Sequence, residues 1–222
     1  MQQSSDDVAL LREDMVERQI AARGVRDRRV LAAMREIPRD RFVEPALAPR
    51  AYEDGPLAIG IGQTISQPYI VALMSEALGL VGTERVLEVG TGSGYGAAVL
   101  GRLAREVYTI ERHPMLADRA ASRLAGLGFC NVHVIVGDGT LGLPEPAPFE
   151  AVVVTASGPR VPPALLEQLA IGGRIVIPVG EHQDHQRLMR IDRQSRVQYE
   201  AVDLGGVAFV PLVGAEGWEQ KD

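Results

Sequence analysis

The chain has 222 residues, 46% of them apolar, and a net charge of −6. That is enough chain for one complete α/β domain, without the basic excess that would favour a nucleic-acid partner. Its one cysteine, Cys130, excludes a disulfide framework and a cysteine metal cluster, and no apolar run approaches the roughly 18 residues that span a bilayer. The opening MQQSSDDVALLRED is acidic and polar, unlike a secretory signal, so a cytoplasmic location is expected.

The first sixty residues read as helices and turns. Ser4 to Asp7 offers caps for a helix carrying Val8, Leu11, Met15 and Ile20, stopped at Gly24. Asp27 caps a second helix, Arg28 to Glu36, which ends before Pro38. The arginine-rich stretch 23–41 reads as a solvated helical surface, with Arg39 or Arg41 available to an anionic peptide. Residues 38–62, rich in proline and glycine, read as an extended surface segment. A third helix is expected from Ser66 or Pro68 to about Leu80, because proline suits a first helical turn.

Strands and helices then alternate. Strands are expected at 85–90, 106–111, 132–138, 149–156 and 173–180, with helices over 95–104, 114–127 and 162–169 between them. Two more candidate strands, 186–192 and 196–204, flank the turn Arg193-Gln194-Ser195, and VAFVPL (207–212) follows. Short β-branched runs with glycine breaks, alternating with helical patterns, predict a doubly wound, mostly parallel sheet. The expectation is a single domain, with 1–65 as a helical and extended cover, 66–180 as a cofactor-binding core and 181–222 as terminal strands and tail.

In such sheets ligands sit beyond the carboxyl ends of the strands, where the strand order switches. The loop there is EVGTGSGYGAA, with Gly90, Gly92 and Gly94, whose backbone can turn sharply and approach a ligand closely. One register also matches the dinucleotide fingerprint. Glu88, two residues before Gly90, argues against a pyrophosphate and suits a cationic ligand end. Glu111 ends the next strand, where an acidic side chain binds ribose hydroxyls, and Asp138-Gly139 ends the third, within reach of an adenine amino group. Ribose, adenine and a cationic head together describe S-adenosylmethionine.

Upstream lies GIGQTISQPYIVAL, whose Ser66 suits a helix cap on physics alone. Taken with DMVERQIAARGVRDRRVLAAMREIPRDRFV, AYEDGPLAIGIGQTISQPYIVALM, VLEVGTGSGYGAAVL, VGDG, APFEAVVVTAS, VPPALLEQLAIGGRIVIPVG and FVPL, it makes nearly the whole chain resemble the protein-L-isoaspartate O-methyltransferase family. GQTISQP is the most specific of these stretches. The resemblance implies a class I methyltransferase fold with a seven-stranded sheet flanked by helices. It implies Ser66 as the active-site serine, with Gln63, Thr64 and Ile65 lining the cleft. It places Glu88, Gly90, Gly92, Gly94, Glu111, Arg112, Asp138 and Gly139 at the cofactor. The implied substrate is an isoaspartyl-containing peptide or protein and the expected state a monomer, with no nucleic-acid or membrane partner. After FVPL some relatives carry a threonine, where this chain has Val213-Gly214, so a contact from that side chain does not transfer.

An isoaspartyl α-carboxylate has a pKa of about 3.5 to 4 and is already ionised at neutral pH, so no general base is required. Ser66 is then expected to orient a carboxylate oxygen, not to act as an activated nucleophile. Two other enzyme and binding readings compete: a methyltransferase for a small molecule or RNA, and a non-catalytic cofactor- or NAD-binding module. His182-x-x-His185 lacks a third ligand, so no metal site is expected. Cys130 reads as a small buried hydrophobe, and His113 and His133 as surface or sheet-edge residues.

Overall fold

A computed structural model describes residues 5–182 and 185–219; Ser4, one of the expected caps, lies outside them. Helix α1 (Ser5–Asp14) continues through a π turn, Met15–Ile20, and a 3-10 turn, Ala21–Arg23, to Gly24, whose φ of +107° ends it as anticipated. Asp27 accepts from the amides of Arg29 and Val30 and starts α2 (Arg28–Glu36) at the expected residue.

Residues 38–62 are not an extended surface segment. They form 3-10 turns at Arg39–Phe42 and Pro45–Arg50, then a hairpin of β1 (Leu57–Gly60) and β2 (Gln63–Ile65). Phe42, Val43, Ala51, Tyr52, Leu57 and Ile59 are buried in the core. Prolines and glycines here shape tight turns that return apolar side chains inward. From Ile65 the chain enters α3 (Pro68–Leu78), with proline in its first turn and Gly79 in the left-handed conformation at its end.

The parallel region follows the sequence closely: β3 (Arg85–Val89), α4 (Tyr95–Leu103), β4 (Glu106–Glu111), α5 (Pro114–Gly126), β5 (Val132–Val136), β6 (Phe149–Val154) and α6 (Pro163–Glu167). The last strands, β7 (Leu169–His182), β8 (His185–Arg193) and β9 (Tyr199–Val207), are joined as a meander. VAFVPL adds no strand of its own; Val207 closes β9 and Pro211 makes a single bridge to Ser157. The seven strands run in the order β5-β4-β3-β6-β7-β8-β9, with the first four pairings parallel and the last two antiparallel.

Strand alternation divides the core. Val86, Val107, Ala151 and Val153 face the N-terminal helices and α3 to α5, whereas Leu87, Val89, Ile110, Val152 and Val154 face the side that carries α6. The chain leaves β3 toward β4 and β5, then crosses back to β6 on the other side of β3. The switch point, where α/β sheets open a crevice, therefore lies at the carboxyl ends of β3 and β6.

Candidate functional site

The loop after β3 is built so that its backbone faces the crevice. Gly90 has φ of +97°, and a Cβ there would lie 2.3 Å from Thr155 Oγ1. That hydroxyl, at the end of β6, donates to the carbonyls of Val89 and Gly90 and clamps the two strand ends together. Gly92 is fixed from the other side, its amide donating to Glu111 Oε2 at 2.9 Å, while Glu111 Oε1 accepts from the His113 amide at 3.0 Å. Gly94, at φ +90°, caps the start of α4 against Ala120 and Leu124 and does not line the crevice. A cradle of bare backbone beside a carboxylate fits the ribose and amino-acid portions of a nucleoside cofactor.

Glu88 is placed differently from expectation. It shares strand parity with Val86, so it points under the loop toward α4 and is only 1% exposed. Thr109, its register partner on β4, donates to Glu88 Oε2 at 2.6 Å and in turn contacts the Thr91 hydroxyl at 2.6 Å. Burial pushes the Glu88 carboxyl up to about 8; the Thr109 hydroxyl opposes the rise and the nearby Glu111 charge adds to it. Burial favours its protonated form and sets it beneath the floor, so it is not an exposed carboxylate for a cationic ligand end. Its Oε1 also explains Gly96, where a Cβ would sit 2.4 Å away.

Asp138 closes the far end. Its Oδ1 accepts from the amide and hydroxyl of Thr140, and its Oδ2 from the amide of Ala215 at 2.8 Å. Burial raises its pKa, but these donors and the charge of Arg112 outweigh that and hold the carboxyl below the usual range. Gly214 permits the approach, since a Cβ there would fall 2.1 Å from Asp138 Oδ1. The tail is therefore part of the site, a feature sequence reasoning missed. Leu212 N donates to Ser157 O and Trp218 Nε1 to the same carbonyl, which locks residues 210–218 beside β6.

Three spaces result. A cavity of about 140 Å³ is lined by Gln63, Thr64, Gly90, Glu111 and Val213 among others, and Gly92, Arg112 and Gly139 also border it. It shares Arg112 and Val213 with a space of about 330 Å³ at Asp138 and Trp218. A groove of about 1020 Å³ runs past Ser66, between Tyr69, Ile70 and Leu73 of α3 and Leu204, Val207 and Phe209 after the turn of β8 and β9. Thr64, Thr155 and Val210 border both the groove and the smaller cavity. Ile65 lies apart from this, buried in the core opposite Leu57.

Ser66 is not a helix cap. Gln67 occupies that position, and no side chain caps α3. Instead the Ser66 carbonyl accepts from Arg39 Nη2 at 2.8 Å, and the Gln67 side chain donates to Asp54, itself paired with Arg23. Arg39 is wholly buried, which corrects the reading of 23–41 as solvated throughout. Cys130 is exposed, not buried, because the turn at Gly128 leaves Phe129 as the inward residue. His133 sits on the edge strand β5, paired with Glu106 at 2.6 Å. His185 borders the groove, the side chain of His182 falls outside the described ones, and among the described residues no group of three metal-ligating side chains occurs.

Comparison with known proteins gives a consistent result. The sequence model described as protein-L-isoaspartate(D-aspartate) O-methyltransferase matches residues 11–217. A protein-L-isoaspartate O-methyltransferase of Protochlamydia amoebophila is 57% identical over 205 residues, covering 92% of this chain and 98% of the relative. One from Pelobacter propionicus is 58% identical over 207 residues, 93% of this chain and 92% of the relative. A solved structure of a protein-L-isoaspartate O-methyltransferase superposes with a TM-score of 0.83 at 30% identity, covering 93% of this chain and 67% of that one. A Plasmodium falciparum structure in complex with S-adenosyl-L-homocysteine shares the fold, with a TM-score of 0.77 at 24% identity over 90% of this chain and 96% of that one.

Proposed function

The chain belongs to the protein-L-isoaspartate(D-aspartate) O-methyltransferase family, and from that premise we propose how its cavities divide the work. The enzyme transfers a methyl group from S-adenosylmethionine to the free carboxylate of L-isoaspartyl residues in damaged peptides and proteins, the first step of their repair. When bound, the cofactor supplies an electrophilic methyl group. Gly90, Gly92, Glu111, Arg112, Asp138 and Gly139 would hold it, with Gln63 and Thr64 bordering it from the hairpin.

The observation that carries this reading is the shared border. Thr64, Thr155 and Val210 line both spaces, and Ser66, two residues beyond Thr64, lies in the groove. A peptide in the groove thus meets the cofactor cavity at this border. The isoaspartyl carboxylate arrives ionised, at a pKa of about 3.5 to 4, so the protein has no proton to remove. Its task is orientation: the Ser66 hydroxyl donates to one carboxylate oxygen and leaves the other directed at the border, while Val210 and Leu212 keep water out. A neutral donor suits this better than a cation, because charge is neutralised as the ester forms and a tight ion pair would hold the reactant back.

The exposed free thiol of Cys130 is in keeping with the reducing cytoplasm. The test is methyl transfer to paired peptides that differ only in an isoaspartyl or an aspartyl linkage. The isoaspartyl peptide is expected to be methylated and its partner to be a poor substrate. Ser66→Ala should lower kcat about 10- to 100-fold, the worth of one hydrogen bond to a charged group, with S-adenosylhomocysteine affinity retained. Undiminished turnover in that variant removes Ser66 from the reaction.

A further inference from the structure

Arg39 is an expensive residue in its place. It is fully buried, and among the described residues no carboxylate pairs with it. Desolvation pushes its guanidinium down to about 10, with the neighbouring Tyr95 and Tyr52 opposing the fall. Its Nη1 is buried without a hydrogen-bond partner. An unpaired buried charge is costly, and a methionine or leucine would fill similar space without that cost.

What the guanidinium does, and no apolar side chain can, is tie two carbonyls together. Nε donates to Ala51 O at 2.7 Å and Nη2 to Ser66 O at 2.8 Å, joining points fifteen residues apart. The ring of Tyr95, at the start of α4 just after the glycine loop, lies 4.9 Å from the guanidinium carbon and fixes its plane. The Ser66 carbonyl needs an outside donor, because the first bond of α3 runs from Val71 N to Gln67 O and leaves Ser66 just beyond the helix. The strut therefore meets the chain at the residue whose hydroxyl faces the substrate, and braces it against the helix that follows the cofactor loop.

We propose that Arg39 is a positioning residue for methyl transfer: by holding the backbone of Ser66 it fixes the hydroxyl of Ser66 at the border between groove and cofactor cavity. The inference rests on the orienting role of Ser66. Arg39 does not border the groove and does not touch substrate; it acts through Ser66. A lysine cannot replace it, since a single ammonium lacks the planar fork that spans two acceptors.

The experiment compares Arg39→Lys and Arg39→Gln with the unaltered enzyme, alone and in a Ser66→Ala background. Melting curves, calorimetric affinity for S-adenosylhomocysteine and steady-state kinetics with an isoaspartyl peptide are read together. Both single variants should fold, bind S-adenosylhomocysteine as before, and lose about 10- to 100-fold in kcat, the scale of an ångström of misplacement. In the Ser66→Ala background the same substitutions should cost less than about twofold, because the group they position is gone. Full turnover by a folded Arg39→Lys beside an impaired Ser66→Ala overturns this inference alone. Equal losses in both backgrounds, or failure of both variants to fold, assign Arg39 to stability and also overturn it. Full turnover by Ser66→Ala overturns the earlier reading and this one with it.

Discussion

The floor of the cofactor cavity and the wall that carries Ser66 are held by opposite chemistry. In the floor, carboxylates and a hydroxyl grip the backbone: Glu111 takes the amides of Gly92 and His113, Asp138 that of Ala215, and Thr155 ties the Val89 and Gly90 carbonyls. In the wall, a cation grips carbonyls, through Arg39 on Ala51 and Ser66. The floor is built from chain segments that end parallel strands, so its shape comes with the sheet. The wall belongs to a segment outside that sheet and needs a strut reaching across the sequence. Damage to the floor should therefore appear as lost cofactor affinity, and damage to the wall as lost turnover with affinity intact.

The largest effect is expected in the floor. Gly90→Ala forces a side chain into a φ of +97° and against Thr155 Oγ1, at a cost of about 1–3 kcal/mol. Calorimetry with S-adenosylhomocysteine should read this as a 5- to 150-fold weaker affinity. Unchanged affinity would mean the floor yields as easily as the wall, and the contrast would fail.

Beneath the floor, Glu88→Gln sharpens the picture through pH. The Glu88 carboxyl titrates at about 8 when folded, against a reference of 4.5. The folded state thus prefers the protonated form; that advantage is fully present below about 4.5 and is lost as pH rises through about 8. Glutamine, permanently neutral, escapes the loss. The melting temperature of Glu88→Gln should gain on the unaltered protein between pH 5 and pH 9, by about 2–4 °C for each kcal/mol. A gap that stays constant or shrinks would show Glu88 ionised in place.

The smallest change is a control outside both regions. Cys130 is exposed, so Cys130→Ser should alter stability by less than about 0.5 kcal/mol and leave affinity and turnover alone. A shift of a kcal/mol or more in a melting curve would restore the expectation of a buried thiol.

The two regions also differ in how far the sequence revealed them. The parallel strands and the glycine loop were legible because β-branched runs, glycine spacing and acidic strand ends are local signals. The side on which Glu88 lies was legible in principle, since alternation pairs it with Val86, but the strand-end position drew attention to the cleft. Arg39 was hidden among nine other arginines from 12 to 50, and nothing in composition separates a buried arginine from a solvated one. One trace existed: Arg39 and Phe42 are three residues apart, and in a 3-10 turn such residues share a face. A turn that buries Phe42 carries Arg39 inward with it. The tail gave less still, because the bond from Ala215 to Asp138 spans 77 residues and depends on Gly214 being small.

The groove has a further property that follows from its arginines. Arg23 faces Tyr69 and is paired with Asp54, and Arg187 is paired with Asp203. Each positive charge on the groove wall thus has its own counter-ion within the protein, and much of the remaining lining is apolar or backbone. With the groove as the proposed peptide site, such a surface makes few electrostatic demands on the residues that flank the one being modified. It suits an enzyme that recognises an altered linkage wherever ageing has produced it, and reads the lesion in preference to its neighbours.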